Sequence, residues 1–185
     1  HGGIDYWGVL RASLANLRGS LSQGASTITM QVARNFFLSN EKTFSRKLYE
    51  VLLAWEIEAQ LTKDKILEIY MNQIYLGQRA YGFASASQIY FGKELREITI
   101  AEAAMLAGLP KAPSAYNPVA NFKRAKIRQE YILQRMRDLS YITSSDYEKA
   151  MAETIKVRGL GKEFDTRADY VAEMARQLLY SEYGD

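Results

Sequence analysis

All three prolines of this 185-residue chain, Pro110, Pro113 and Pro118, crowd into one short stretch. A proline inside a helix removes a backbone hydrogen bond and clashes with the turn before it. The chain is therefore free to run as helix on either side of a single connector, and its apolar residues recur at helical spacing in both parts. The pattern predicts helices over 4–18, 43–61, 63–75, 80–90, 99–108, 121–139, 143–152 and 166–180. Residues 20–29 are rich in Ser, Thr and Gly and read as a loop, with a helix starting at Ser26 or Thr27. That helix continues through 30–38 to Phe36-Phe37-Leu38 and the breaker Ser39-Asn40. Thr62 is placed to cap the 63–75 helix, and Gly77 to end it. Strand patterns are nearly absent, apart from a weak candidate at 154–158. The fold class is mainly α.

Composition narrows the chemistry. There is no cysteine, and the only histidine is His1, which removes disulfides, thiolate zinc sites, cysteine nucleophiles and Ser-His pairs. A content of 48% hydrophobic and 24% charged residues is that of a globular domain. No run of 18 apolar residues is present, and no charged-then-apolar leader. The opening His1-Gly2-Gly3-Ile4, with no initiator Met, reads as an internal piece of a longer protein.

The net charge is only +3, but the basic residues are clustered. One group is Arg34, Lys42, Arg46 and Lys47; another is Lys123, Arg124, Lys126, Arg128, Arg135 and Arg137, opposed by Glu130. Such clusters suit phosphates or anionic membrane surfaces. Without a recognisable nucleic-acid module, nucleic acid is the weaker choice of partner. In the 4–18 helix, Trp7, Leu10, Leu14 and Leu17 share a stripe edged by Arg11 and Arg18. On that segment alone a core-facing helix is favoured over an interfacial one.

Glu50 is the most informative carboxylate. Arg46, Leu53 and Ile57 lie on its helical face, so it is an acid among apolar residues with a guanidinium one turn away. The plain alternative is a structural ion pair, and spacing alone favours it. Glu56 and Glu58 fall on other faces and read as solvated. The run Gly24-Ala25-Ser26-Thr27-Ile28-Thr29-Met30-Gln31 sets hydroxyls and an amide at a loop-to-helix junction, where a phosphate or sugar can be held. On the physics alone an ordinary Ser/Thr N-cap is favoured. Gly24-Ala25-Ser26 lacks the second glycine of a nucleophile elbow, and Ser39-Asn40-Glu41-Lys42 matches S-x-x-K without a Lys-Thr-Gly triplet.

Taken together the motifs are far more specific. His1-Gly2-Gly3, the Gly24–Gln31 run, Arg46-Lys47-Leu48-Tyr49-Glu50, Lys65–Asn72, and Leu109-Pro110-Lys111-Ala112-Pro113 with Tyr116-Asn117-Pro118, Arg124 and Arg128 resemble, in order, the five motifs of the peptidoglycan glycosyltransferase domain of class A penicillin-binding proteins. The resemblance implies a lysozyme-like helical glycosyltransferase fold with a large lobe and a small membrane-associated lobe. It implies a glycosyltransferase domain over 1–160 and the start of a linker toward a transpeptidase domain over 161–185.

The implied activity is polymerisation of lipid II into β-1,4-linked glycan with inversion and release of undecaprenyl diphosphate. The implied setting is the periplasmic face of the bacterial inner membrane, with an N-terminal anchor outside this segment. The partners implied are lipid II, the growing glycan strand, the membrane surface and other cell-wall synthesis or regulatory proteins. The family's general base would precede His1, so the segment as written should be inactive. Its second glutamate maps to Glu50, implied to support the leaving diphosphate by orienting cations or by helping bind Mg or Mn; no organic cofactor is implied. Arg34, Lys42, Arg46, Lys47 and Arg128 map to diphosphate contacts, and Ser26, Thr27 and Gln31 to the donor sugar or diphosphate site.

Two departures stand out: Met30 replaces the first Gln of the family's Gln-Gln pair, and Ala25 replaces a glycine. The lipid substrate also tips the 4–18 and 36–38 segments toward the interfacial reading. Two other functions remain open: a non-catalytic lipid II or membrane-surface binding module, and a lysozyme-like hydrolase.

Overall fold

The computed structural model describes residues 26–37 and 44–158. Among them are seven α-helices and no strand: α1 Ile28–Phe37, α2 Phe44–Gln60, α3 Lys63–Gln73, α4 Phe83–Phe91, α5 Ile100–Gly108, α6 Phe122–Asp138 and α7 Ser144–Ala152. The mainly α expectation holds. The segments 4–18 and 166–180, and with them Leu38, lie outside the described residues.

Local chemistry sets the helix starts. Thr62 caps α3 by accepting the Lys65 N–H at 3.3 Å. Thr99 and Thr143 open α5 and α7 with reciprocal capping boxes to Glu102 and Asp146. Asn121 accepts the Arg124 N–H at 3.0 Å at the head of α6. Each such cap satisfies a donor that the first helical turn leaves orphaned, worth about 1 kcal/mol.

Two expectations need correction. The helix predicted over 63–75 stops at Gln73, and Gly77 does not end it. Ile74 is already extended, because the chain doubles back there through a Tyr75–Tyr81 bridge. Gly77 sits within that turn at φ +84°, followed by Gln78 and Arg79, also left-handed. Gly82 closes the turn with its N–H on the Ile74 carbonyl at 2.8 Å. A Cβ on Gly82 would lie 2.5 Å from the Asn72 carbonyl oxygen, so only glycine lets the two backbones meet. Among the described residues the strand candidate at 154–158 pairs with no other strand. Ile155 and Val157 are buried in the core, and the Arg158 N–H bonds the Tyr90 carbonyl at 2.8 Å.

The core gathers around α5 and α6, the most closely packed helices, with α7 and α4 against them. Leu76, Met105, Leu106, Leu109 and Leu133 are fully buried, each contributing roughly 1.5–3 kcal/mol of transfer free energy. Two buried polar groups of the core donate to main-chain carbonyls, which offsets their desolvation cost. The Gln129 amide donates to the Ala101 carbonyl at 2.7 Å, and the Tyr90 hydroxyl donates to the Leu76 carbonyl at 2.8 Å. Burial, with a smaller push from Tyr75, raises the Tyr90 phenol to about 12. The proline connector behaves as expected: Pro110 is the second residue of a single 3₁₀ turn, Leu109–Lys111, that leads the chain away from α5 toward α6. Helix α1 packs against both α2 and α3, and its Val32 joins the same core.

Candidate functional site

The residues leading into α1 decide what this end of the molecule can do. Thr27 is the cap of the two candidates, since its Oγ1 accepts the Met30 N–H at 3.2 Å. Ser26 is thus available for another task, and its Oγ accepts a hydrogen bond from Lys47 Nζ at 2.7 Å. The same ammonium lies 2.6 Å from Glu50 Oε2. The second carboxylate oxygen, Oε1, is 3.4 Å from Arg46 Nε.

Glu50 is 1% exposed, and a carboxylate so removed from water is tolerable only when cations replace its hydration. Here Lys47 hydrogen-bonds one oxygen, and the Arg46 charge faces the other at 3.4 Å without a hydrogen bond, from positions three and four residues earlier on α2. Spacing of i,i+4 along the helix brings Arg46 to Glu50, and spacing of i,i+3 brings Lys47. One acid between two bases leaves the cluster with a net positive charge beside the Ser26 hydroxyl.

Among the described residues, the other predicted ones lie on α1 and α6. Arg34, in the last turn of α1, is half-buried and close enough to Tyr70 for its charge to act on the phenol. Burial raises the Tyr70 pKa and Arg34 opposes the rise. Gln31 is half-buried on α1. Arg128 is on α6, where its guanidinium lies over Tyr116 and Tyr131. Lys42 and Ala25 lie outside the described residues. Met30 is 2% exposed, so its replacement of a glutamine is a packing change: the side chain fills the core and offers nothing to a ligand.

Glu58, read from periodicity as solvated, is not. Its carboxylate accepts from Thr29 Oγ1 and pairs with Lys63, bracing buried Thr29 on α1 against the α2–α3 junction. Periodicity within α2 could not reveal this, because the burying element is α1. Burial works to raise the Glu58 pKa, but the hydrogen bonds from Lys63 and Thr29 and the Lys63 charge prevail and hold it below the ordinary carboxylate value. A lowered folded-state pKa stabilises the fold at neutral pH and loses that contribution as pH falls through it. The Glu58→Gln variant should therefore lose less stability than wild type between neutral pH and acid below the ordinary carboxylate range, measured by thermal melts across that window.

A Mg or Mn ion at this site would need oxygen donors free of cations. Both Glu50 oxygens face cationic groups, and among the described residues no three His, Cys, Asp or Glu side chains gather as a metal site. A divalent cation on Glu50 would have to displace an ammonium or a guanidinium. The arrangement does not fit one.

Comparison with known proteins places this geometry in context. The family model described as Transglycosylase matches residues 1–137. This chain belongs to the transglycosylase family. Penicillin-binding protein 1A of Neisseria meningitidis is 60% identical across the whole of this chain, which covers 23% of that protein. A Cupriavidus necator protein provisionally named a transglycosylase is 66% identical over 158 residues, 85% of this chain and 68% of its own length. The crystal structure of penicillin-binding protein 1A from Haemophilus influenzae superposes with a TM-score of 0.56 at 36% identity, over 86% of this chain and 20% of that one. The chain thus spans about a quarter of the penicillin-binding proteins it resembles, and its helical architecture is that of a transglycosylase. No described helix is long and apolar enough to cross a membrane.

Proposed function

We propose that this chain is the glycan-polymerising part of a peptidoglycan glycosyltransferase that extends strands from lipid II. The observation that carries the reading is the buried Glu50 carboxylate gripped by Arg46 and Lys47, with Ser26 on the same ammonium. In this reaction the 4-hydroxyl of one disaccharide attacks the anomeric carbon of another, and the bond to undecaprenyl diphosphate breaks. Negative charge builds on the departing diphosphate, so cations held in place beforehand lower the barrier. Glu50 does the holding: pinned by burial, it fixes Arg46 and Lys47 at the cost of part of their charge and leaves a surplus for the phosphates. Ser26 accepts from Lys47 and retains its own O–H to donate to a phosphate or sugar oxygen. The acceptor hydroxyl must still lose its proton to a base, and by the family resemblance that base belongs to sequence ahead of His1.

On this reading the full protein works at the periplasmic face of the inner membrane. An anchor and a D,D-transpeptidase domain lie outside the 1–160 glycosyltransferase domain, and 161–185 leads toward the latter. Its partners would be lipid II, the nascent strand, the membrane surface and other cell-wall synthesis proteins, and a divalent ion would not be seated on Glu50.

Product sizing tests the reading. Full-length protein given lipid II in detergent should yield lengthening glycan and release undecaprenyl diphosphate. Binding without turnover would favour a non-catalytic lipid II module, and shortening of added glycan would favour a hydrolase.

A further inference from the structure

Arg128 is held in an unusual way for a residue on a basic helix. Its stem packs over Gly108, the last residue of α5, where a Cβ would lie 2.9 Å from Arg128 Cγ. Its guanidinium carbon is 4.8 Å from the centre of the Tyr131 ring and 5.9 Å from that of Tyr116. Three elements supply the walls: the end of α5, the proline connector and the next turn of α6.

What the cage leaves unpaired is equally informative. Among the described residues no carboxylate lies within 4 Å of Arg128, and its buried Nε has no hydrogen-bond partner. Arg124, one turn earlier, also lies over Tyr116, 5.8 Å from its ring centre. Two like charges one helical turn apart repel, and both carry donors that nothing in the described fold uses. A guanidinium oriented by aromatic faces, desolvated at Nε and left without an acid, is arranged to receive an oxyanion.

We propose that Gly108, Tyr116 and Tyr131 are positioning residues that hold the Arg128 guanidinium ready for the diphosphate of the lipid-linked substrate. The proposal rests on the glycosyltransferase reading above and adds the cage to it. None of the three touches the diphosphate; they act by removing the rotamer freedom that a long Arg side chain would otherwise lose on binding. The glycine is needed because any larger residue moves the stem, and the tyrosines because their faces orient a planar cation.

The test is titration of inorganic pyrophosphate into the full-length protein, followed calorimetrically. Tyr131 is 52% exposed, so its replacement leaves the core intact, and the melting temperature of each variant serves as the control. Tyr131→Leu should weaken pyrophosphate affinity about fivefold, the scale of a partly exposed cation–π contact. Tyr131→Phe should restore it to near wild type, because the ring face is kept. Arg128→Lys should bind at least as weakly as Tyr131→Leu, since an ammonium cannot use the planar cage. If Tyr131→Leu binds like wild type, or Tyr131→Phe is as weak as Tyr131→Leu, the cage is overturned while the diphosphate site stands. If wild type does not bind pyrophosphate and does not extend lipid II, the glycosyltransferase reading falls and takes the cage with it.

Discussion

Glu50→Gln in the full-length protein should slow lipid II polymerisation by about 10²–10³-fold, the range seen when a preorganised charge-stabilising group is removed. The substitution keeps shape and volume but changes three things. The carboxylate charge disappears, so Arg46 and Lys47 face each other across a neutral amide and repel. One of the two polar atoms becomes an NH₂ donor, which cannot accept from either Lys47 or Arg46. The surviving oxygen can satisfy one cation only, so the other swings toward solvent. Because Lys47 remains substantially exposed while Glu50 is not, water can rehydrate the freed ammonium, and the stability loss should stay near 2 kcal/mol rather than reach the 3–5 kcal/mol of a fully buried pair. A fold that survives with polymerisation lost is the signature of a positioned charge cluster. Initial rates with lipid II, set beside thermal melts, measure both, and wild-type rates in a folded Glu50→Gln protein would remove Glu50 from the site.

Much of this cluster could be read in the sequence, and the reason is the helix. Arg46 and Glu50 are four residues apart on α2, and helical geometry alone brings them to one face. Lys47 was equally reachable by spacing. What spacing could not supply was the partner on another element: the Lys47–Ser26 contact joins residues 21 positions apart. It depends on α1 crossing α2, which neither segment encodes by itself. Glu58 shows the same limit from the opposite side. Its face of α2 looks solvent-directed until α1 brings Thr29 onto it. Helix starts were legible wherever a Thr or Asn side chain could reach an orphaned N–H, as at Thr62, because capping is local. The end of α3 was not. Its last turn yields to a backbone bridge between Tyr75 and Tyr81, and that bridge depends on the close approach of Gly82 to Asn72.

Lys47→Met should come close to Glu50→Gln in its effect on activity, and for a related reason. Methionine keeps the length of the side chain and its packing along α2, but removes an ammonium that joins Ser26 to Glu50. The loss of one cation from the diphosphate site and the release of Ser26 should together slow polymerisation about 10²-fold. Glu50 is left with Arg46 alone, at a cost in stability of about 1–2 kcal/mol given the exposure of the lost partner. Ser26→Ala cuts the same link at its other end and should cost about tenfold, since a neutral hydroxyl contributes less than a charge. The decisive measurement is the double variant. If Ser26 is oriented through Lys47, Ser26→Ala adds little once Lys47 is methionine, and the two penalties are strongly non-additive. Fully multiplicative rate losses would mean that the serine meets the substrate independently of the ammonium, and the cluster would then be two sites sharing an edge.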